Sequence, residues 1–275
     1  MKTIAIQGVR GSFHHIVSRK FFKEEPVLLE CDSFDLLVKK LNQGECDAAV
    51  MALENSIAGS ILPNHALIDS NDLHIVGERY LEVQLNMMAL PGQTIADITE
   101  VHSHPIALLQ CKVFFDQFPH IKLVEATDTA DVALKIQRNQ IRGLAAIGSI
   151  LAAEIFELEV LAKSIQTIAS NQTRFVLVSK NLSDLNPTEV NKASLKFELN
   201  HQRGSLASVL NVMSDCNLNL TKIQSLPKIE TPWTYGFFAD VTFDNYQNFE
   251  KAVAIMQLMA KAFKVMGVYK NRRDL

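Results

Sequence analysis

The chain has no run of about 18 apolar residues, so no stretch of it reads as a membrane-spanning helix. Its first apolar run, Ile4-Ala5-Ile6, gives way to Gln7 and is too short for the apolar region of a signal peptide. Export is therefore not expected. Blocks of one charge sign are missing too: 27 basic and 30 acidic side chains are mixed along the chain and leave a net charge of -3. Such a distribution gives no footprint for nucleic acid or an anionic membrane. The four cysteines, Cys31, Cys46, Cys111 and Cys216, lack the paired spacing of a zinc site and are expected to be reduced thiols in a cytoplasmic protein. Neither His14-His15 nor the His102/His104 pair is accompanied by a cysteine or carboxylate cluster, which makes metal the poorer reading. What is present is 48% hydrophobic residues and 21% charged residues in 275, enough to bury a core and long enough for more than one domain. Small molecules are the default partners.

Strands alternate with helices through the first two thirds of the chain. Residues 3–7 read as a buried first strand, and Gly8-Val9-Arg10-Gly11-Ser12-Phe13 as a glycine-bearing turn that opens a helix. Such a corner aims backbone N–H groups at an anion, although two glycines alone suggest only a tight turn. Ser33 caps a helix whose Phe34, Leu37, Val38 and Leu41 form one apolar stripe, with Gly44 as its stop. The strand at 48–53 ends in Glu54-Asn55-Ser56-Ile57-Ala58-Gly59, polar residues where open α/β sheets gather ligands; capping by Asn55 or Ser56 is the plainer alternative. Further strands are expected at 73–76 and 83–90. Glu100-Val101-His102-Ser103-His104-Pro105 is another strand-to-helix corner, with Pro105 in the first turn, Gln110 carried inward, and His104 expected to be structural. A strand at 122–125 ends in Glu125-Ala126-Thr127-Asp128-Thr129 before the helix of Val132, Ala133 and Ile136. Strands at 143–148 and 158–162 flank a short helix at 149–156.

Chemistry is expected at Asn171-Gln172-Thr173-Arg174-Phe175, ahead of the apolar Val176-Leu177-Val178. A polar group buried without a partner costs about 1–3 kcal/mol, and a polar ligand would supply partners; a polar loop entering a strand is the equally open reading. The alternation fits a parallel-type α/β sheet whose strand at 173–178 returns to the first lobe after an inserted second lobe of roughly 80 residues. A linker is expected at 181–191. Beyond it the pattern is strand 194–199, helix with Leu206, Val209, Leu210 and Met213, strand 218–226, loop 227–232, strand 234–243, helix with Phe249, Val253, Met256, Ala260 and Phe263, and strand 265–269. This is β-α-β-β-α-β, the ferredoxin-like plan.

These motifs, in this order, closely resemble the prephenate dehydratases that carry a C-terminal ACT regulatory domain, over nearly the whole chain. The first glycine loop is 8–13, and Glu54–Gly59 corresponds to the family's Glu-Asn-Ser-x-x-Gly. Residues 103–111 match Ser-His-Pro-Gln-Ala-Leu-x-Gln-Cys except for Ile106 in place of Gln, and 173–175 is the Thr-Arg-Phe signature. The resemblance implies a two-lobed, periplasmic-binding-protein-like catalytic domain at 1–180 (lobe one 1–80 plus 170–180, lobe two 81–169), a linker at 181–192 and an ACT domain at 193–275. It implies conversion of prephenate to phenylpyruvate in phenylalanine biosynthesis without metal or organic cofactor, in a homodimer or homotetramer.

By the same resemblance Thr173 is the essential hydroxyl and Glu125 a possible proton source if buried. Asn55, Ser56, Ser103, Gln110 and Gly11 would bind substrate. Arg174 is a carboxylate clamp or a structural ion-pair partner, and Phe175 an apolar wall or simply core. Gly204, Ser205 and Leu206 sit at the family's Gly-Ala-Leu-Val loop and, with Gln224 and Ser225, would bind phenylalanine as effector. Ile223-Gln224-Ser225-Leu226-Pro227 replaces Glu-Ser-Arg-Pro, so both charges of that signature are absent. The rival readings are a non-catalytic amino-acid sensor on the same folds, and an exported solute-binding protein.

Overall fold

The computed structural model describes residues 1–182, 186–227 and 235–273. Two compact units emerge: Met1–Ile61 with Arg79–Phe175, and Leu62–Glu78 with Val176–Leu275. No helix among the described residues is long and apolar enough to cross a membrane.

In the first unit, β1 (Thr3–Gln7) leads through a glycine turn into α1 (Phe13–Phe21), followed by β2 (Val27–Cys31), α2 (Phe34–Gln43), β3 (Ala48–Asn55) and β4 (Gly59–Ser60). β1 lies parallel to both β2 and β3. Ile4, Ala5 and Ile6 are all fully buried, as is expected of a parallel strand covered on both faces, and the first six residues of β3 are buried in succession. Burial ends at Glu54 and Asn55, so the strand delivers its polar residues at its carboxyl end. Ser33 caps α2 through its side chain and Gly44 closes it in the left-handed conformation, as the sequence predicts, and Ser12 caps α1 in the same way.

Next come α3 (Leu62–Ser70), β5 (His74–Glu82), β6 (Asn86–Ala89), β7 (Glu100–Ser103), α4 (Pro105–Phe115), β8 (Lys122–Glu125), α5 (Thr129–Asn139), β9 (Leu144–Gly148), α6 (Ile150–Ile155), β10 (Glu159–Ala162) and β11 (Gln172–Ser179). One sheet has the order β2-β1-β3-β11-β5, with β4 beside β3; the other has β10-β6-β9-β7-β8. Of the strand expected at 83–90 only Asn86–Ala89 forms, while the one expected at 73–76 runs on to Glu82; between them Val83 and Leu85 give their N–H groups to Asn171 O and Gln166 Oε1 and so leave the ladder. The second sheet is mixed. β7 runs parallel to β8 and β9, while β6 is antiparallel to β9 and β10. The α6 crossover brings β10 back parallel to β9, and β6, entering without a crossover helix, slots between them in the opposite sense.

The second unit contains β12 (Lys192–Glu198), α7 (Ser205–Asp215), β13 (Asn219–Pro227), β14 (Tyr235–Thr242), α8 (Tyr246–Met259) and β15 (Ala262–Tyr269). Its sheet is antiparallel throughout, ordered β13-β14-β12-β15, and so realises the β-α-β-β-α-β plan. Phe263 belongs to β15 and pairs with Phe197 rather than extending α8. The expected loop beyond Pro227, Thr234 at the head of the next strand and 183–185 of the expected linker lie outside the described residues. Alternation along β12 sends Ala193, Leu195 and Phe197 to the helices, against Val209, Met213, Phe249 and Met256. Lys192, Ser194 and Lys196 face the other way. That polar face is buried against Leu62–Glu78: Lys192 Nζ lies 2.8 Å from Glu78, Lys196 Nζ 2.5 Å from Asp69 and Lys264 Nζ 2.7 Å from Asp72.

Candidate active site

Asn55 ends β3 and its side-chain oxygen accepts the N–H groups of Ile57 (3.0 Å) and Ala58 (2.8 Å), closing the 54–59 turn. Backbone N–H groups can only donate, so these two bonds fix which end of the Asn55 amide is oxygen. Its Nδ2 must then point the other way. It donates to Asn171 Oδ1 at 2.6 Å and to Thr173 Oγ1 at 2.9 Å. With its oxygen taken, Asn171 donates from Nδ2 to Gln110 Oε1 at 2.7 Å. The direction of every bond in this relay follows from the first two. Its far ends are the Thr173 hydroxyl hydrogen and the Gln110 Nε2 hydrogens, donors with no acceptor among the described residues.

The network joins three corners of the chain. β3 supplies Asn55, α4 supplies Gln110 and the mouth of β11 supplies Thr173. Ser56 fastens two of these corners together: its N–H donates to Gln172 O (2.8 Å) and its hydroxyl accepts from Gln172 N (2.9 Å) and donates to Ser170 O (3.3 Å). Gln110 O accepts from Thr167 N, and Asn171 O from Val83 N, which anchors the 167–171 stretch at both ends. Asn171 is the hub of the relay and is 1% exposed. It stands in the polar stretch that the sequence marks, but the reading there rested on Thr173, and nothing in a single sequence distinguishes the hub from its neighbours.

Other expected site residues lie outside this relay. Ser103 is fully buried at the end of β7, where its hydroxyl donates to Ile147 O at 2.8 Å. Phe175 is buried and meets the ring of His14 edge-on, centroids 5.0 Å apart, which is core packing. Arg174 is also buried, and alternation along β11 turns it away from Thr173 and Phe175. His104 caps α4 through Nδ1, as the sequence suggests. Gly11 has φ +87, and a Cβ there would sit 2.8 Å from Ala152 Cα. Its carbonyl accepts from Ser149 Oγ at 2.5 Å, so the first glycine loop packs on the start of α6.

Glu125 is exposed at the end of β8. A less exposed carboxyl lies three residues on, at half-buried Asp128, which the sequence reading left unassigned within the run 125–129. Burial pushes the Asp128 carboxyl above its usual range, opposed by the Asp131 and Ala130 N–H groups that it accepts. Its Oδ2 lies 2.8 Å from the point a Cβ on Gly8 would occupy. The thiols offer no nucleophile here: all four cysteines are unpaired, and burial pushes Cys46 up to about 11 and Cys111 to about 12.

In the second unit, Gly204 takes φ +82 at the start of α7, and Ser205 and Leu206 line a cavity of about 280 Å³ with Glu198, His201, Tyr235 and Lys261. Gln224 and Ser225 lie on β13, outside that lining, and Gln224 Nε2 donates to Ser225 O.

Residues 4–183 match the family model of prephenate dehydratase. The chain is 29% identical over 270 residues to the bifunctional chorismate mutase/prephenate dehydratase of Enterobacter agglomerans, covering 97% of this chain and 70% of that protein. It is 31% identical to the chloroplastic arogenate dehydratase 5 of Arabidopsis thaliana, covering 97% and 67%. Among solved structures, the prephenate dehydratase of Arthrobacter aurescens in complex with L-Phe superposes with a TM-score of 0.89 at 25% identity, covering 98% of this chain and 90% of that one. GqqA, a quorum-quenching acylase, superposes at 0.85 with 27% identity, covering 98% of both chains. With the motif residues drawn into one hydrogen-bonded relay and the match running through both glycine loop and Thr-Arg-Phe strand, this chain belongs to the prephenate dehydratase family.

Proposed function

We propose that this protein dehydrates and decarboxylates prephenate to phenylpyruvate, and that Thr173 is the residue that assists departure of the C4 hydroxyl. What supports the assignment above all is the Asn55 amide, which holds Thr173 directly and Gln110 through Asn171. As the ring carboxylate leaves as carbon dioxide, its bonding electron pair enters the ring, the C4–O bond breaks, and the departing hydroxide takes up a proton to become water. Because Asn55 fills an acceptor site of the Thr173 oxygen, the threonine hydrogen is free to be donated to that departing oxygen. An alcohol is too weak an acid to surrender its proton outright, so its contribution is a hydrogen bond that strengthens as charge develops. The Gln110 Nε2 hydrogens suit a substrate carboxylate, and Asn55 and Ser56 hold the donors in place. Ser103, Arg174, Phe175 and Gly11 then act as supports to the site. For the proton that completes water, half-buried Asp128 is a better source than exposed Glu125.

In this reading residues 1–180 form the catalytic domain, built of two lobes of the periplasmic-binding-protein kind (1–80 with 170–180, and 81–169). Residues 181–192 link it to an ACT domain at 193–275, and the enzyme is a cytoplasmic homodimer or homotetramer without metal or organic cofactor. Phenylalanine is the expected effector, bound near Gly204, Ser205 and Leu206 between paired ACT domains. The Phe complex of the Arthrobacter aurescens relative supports this. Calorimetric titration should show phenylalanine binding and a parallel fall in activity; a flat titration would mean that Gln224 and Leu226 have disabled the sensor.

Purified protein incubated with prephenate near neutral pH should release phenylpyruvate well above the buffer rate. Arogenate belongs in a parallel tube, since the arogenate dehydratase of Arabidopsis thaliana is more identical to this chain than the bacterial relative is. A higher kcat/KM for arogenate would move the substrate assignment and leave the chemistry. Turnover of neither would return the protein to the sensor reading or to the acylase chemistry of GqqA.

A further inference from the structure

We propose that His15 is a positioning residue that holds the first glycine loop over the Asp128 carboxyl through the N–H of Gly11, and so keeps water from the group that supplies the last proton. The inference rests on the dehydratase reading for the role of Asp128. It names a residue outside both the hydrogen-bonded relay and the effector loops.

Gly11 N donates to His15 Nδ1 at 3.0 Å in a buried position. A backbone N–H can only donate, so Nδ1 is the bare nitrogen of a neutral ring and the ring hydrogen is on Nε2. Nε2 lies 3.4 Å from Glu25 Oε1, an oxygen that Arg19 shares at 3.5 Å. The residue is fixed at its root as well: Ser12 Oγ accepts from His15 N, and Ser18 Oγ donates to His15 O. Burial pushes the imidazole below its usual range; Glu25 opposes this, while the charges of Arg19 and Arg10 act with it. At neutral pH the ring is therefore uncharged, the state in which it can accept from Gly11.

On its other side Gly11 O accepts from Ser149 Oγ at 2.5 Å, and a Cβ at Gly11 would meet Ala152 Cα at 2.8 Å. α1 and α6 thus grip the loop together. Three residues back, Gly8 takes φ +85, its N–H donates to Cys31 O, and the place of its missing Cβ is 2.8 Å from Asp128 Oδ2. Between the two glycines, Arg10 gives both its N–H and its Nε to Glu30 Oε1, which turns its charge toward β2. Asp128 Oδ1 already accepts two N–H groups, from Ala130 and Asp131, which leaves Oδ2, the oxygen beside Gly8, for the acid proton. The charges that face this carboxyl are Asp131 on its own helix, which raises it along with burial, and His104 at the head of α4, which lowers it. A loop lifted at Gly8 would admit water to Oδ2 and let the carboxyl ionise.

In His15→Leu the Gly11 N–H loses its acceptor, at a cost of about 1–3 kcal/mol, and its hydrogen should exchange faster. The carboxyl carbon resonance of Asp128, identified by its loss in Asp128→Asn, should then titrate closer to the ordinary aspartate range than in the unaltered protein. With prephenate, the alkaline limb of kcat should move down in pH by the same interval, a loss of about tenfold in alkaline kcat per unit, with KM nearly unchanged. His15→Asn, whose side-chain oxygen stands near the place of Nδ1, should restore exchange, titration and pH profile together. Ser149→Ala releases Gly11 from the other side and should shift the titration the same way. An Asp128 titration unmoved in His15→Leu while Gly11 exchange accelerates would overturn the proposal, as would Gly11 exchange that does not accelerate or a His15→Asn variant that restores nothing. A titration that moves while the kcat limb stays would also overturn it, because Asp128 would then not be the proton source. If neither His15→Leu nor Ser149→Ala folds, the ring nitrogen resonances of His15 in the unaltered protein decide: hydrogen on Nε2 alone supports the hold on Gly11, and hydrogen on Nδ1 at neutral pH refutes it. Exchange and titration use no substrate, so a protein that turns over no prephenate would refute the dehydratase reading while these still judge how the loop is held.

Discussion

Thr173→Ala is expected to lower kcat for prephenate by about 100-fold or more, the usual effect of deleting a preorganised donor to developing negative charge, with the melting temperature little changed. Thr173→Ser should keep most of the rate. The sharper variant is Asn55→Asp. A carboxylate at 55 still accepts the Ile57 and Ala58 N–H groups, so the turn survives. It has no hydrogen to give, however, and Asn171 Oδ1 and Thr173 Oγ1 would face a second oxygen where they now meet an N–H at 2.6 and 2.9 Å. The Thr173 hydroxyl would turn to donate into that carboxylate and be lost to the leaving group. A loss in kcat comparable with that of Thr173→Ala is expected from a change of one atom, measured by steady-state kinetics beside thermal melts. Wild-type kcat in Thr173→Ala would remove the central assignment, and wild-type kcat in Asn55→Asp would show that the bond directions do not matter.

How much of this was legible in the sequence depends on where the physics is local. The corners that carry Asn55, Gln110 and Thr173 could be found because each is a strand or helix end crowded with polar groups. Ser33, Gly44 and Pro105 mark helix ends by rules that operate over a few residues. Direction within the relay was not legible, since it depends on Asn171 meeting two residues more than 60 positions away along the chain. Nor was α3. Its buried residues are Asn64, His65 and Ile68, so the helix hides polar side chains and has no apolar stripe to count. At 83–90 the apolar residues continue, but the backbone hydrogen bonds go to a loop carbonyl and a glutamine side chain, which hydrophobic pattern does not record. Phe263 shows the converse error. Its spacing continues the stripe of α8, but the chain turns extended at Ala260 and the ring enters the sheet.

His14 is expected to make the protein lose about 3 kcal/mol of stability as the pH is lowered from 7 to 4. Its ring is buried between Phe34 and Phe175, centroids 5.5 and 5.0 Å away, and among the described residues its Nε2 has no hydrogen-bond partner. Burial without a partner for the charged form pushes the imidazole down to about 4. The unfolded chain takes up a proton near 6.5, so between these values the unfolded state binds a proton that the native state refuses, and stability falls with pH. Below about 4 both states are protonated and the loss stops growing. At about 1.36 kcal/mol per unit the window gives the figure above, a large part of the 5–15 kcal/mol typical of a folded domain. Burial also lowers His15, which adds a loss of the same sign. Asp128 acts oppositely, because a raised carboxyl keeps its proton in the native state and favours folding at the acid end. In His14→Leu, denaturant melts between pH 4.5 and 7 should give a distinctly flatter dependence than the wild type, and parallel curves would show that His14 is not the group responsible. Since Phe175 stands two residues from Thr173 on the same face of β11, acid protonation of His14 should disturb the mouth of the site as the core gives way. Activity below about pH 5 should therefore fall with folded fraction in the wild type and persist further into acid in His14→Leu.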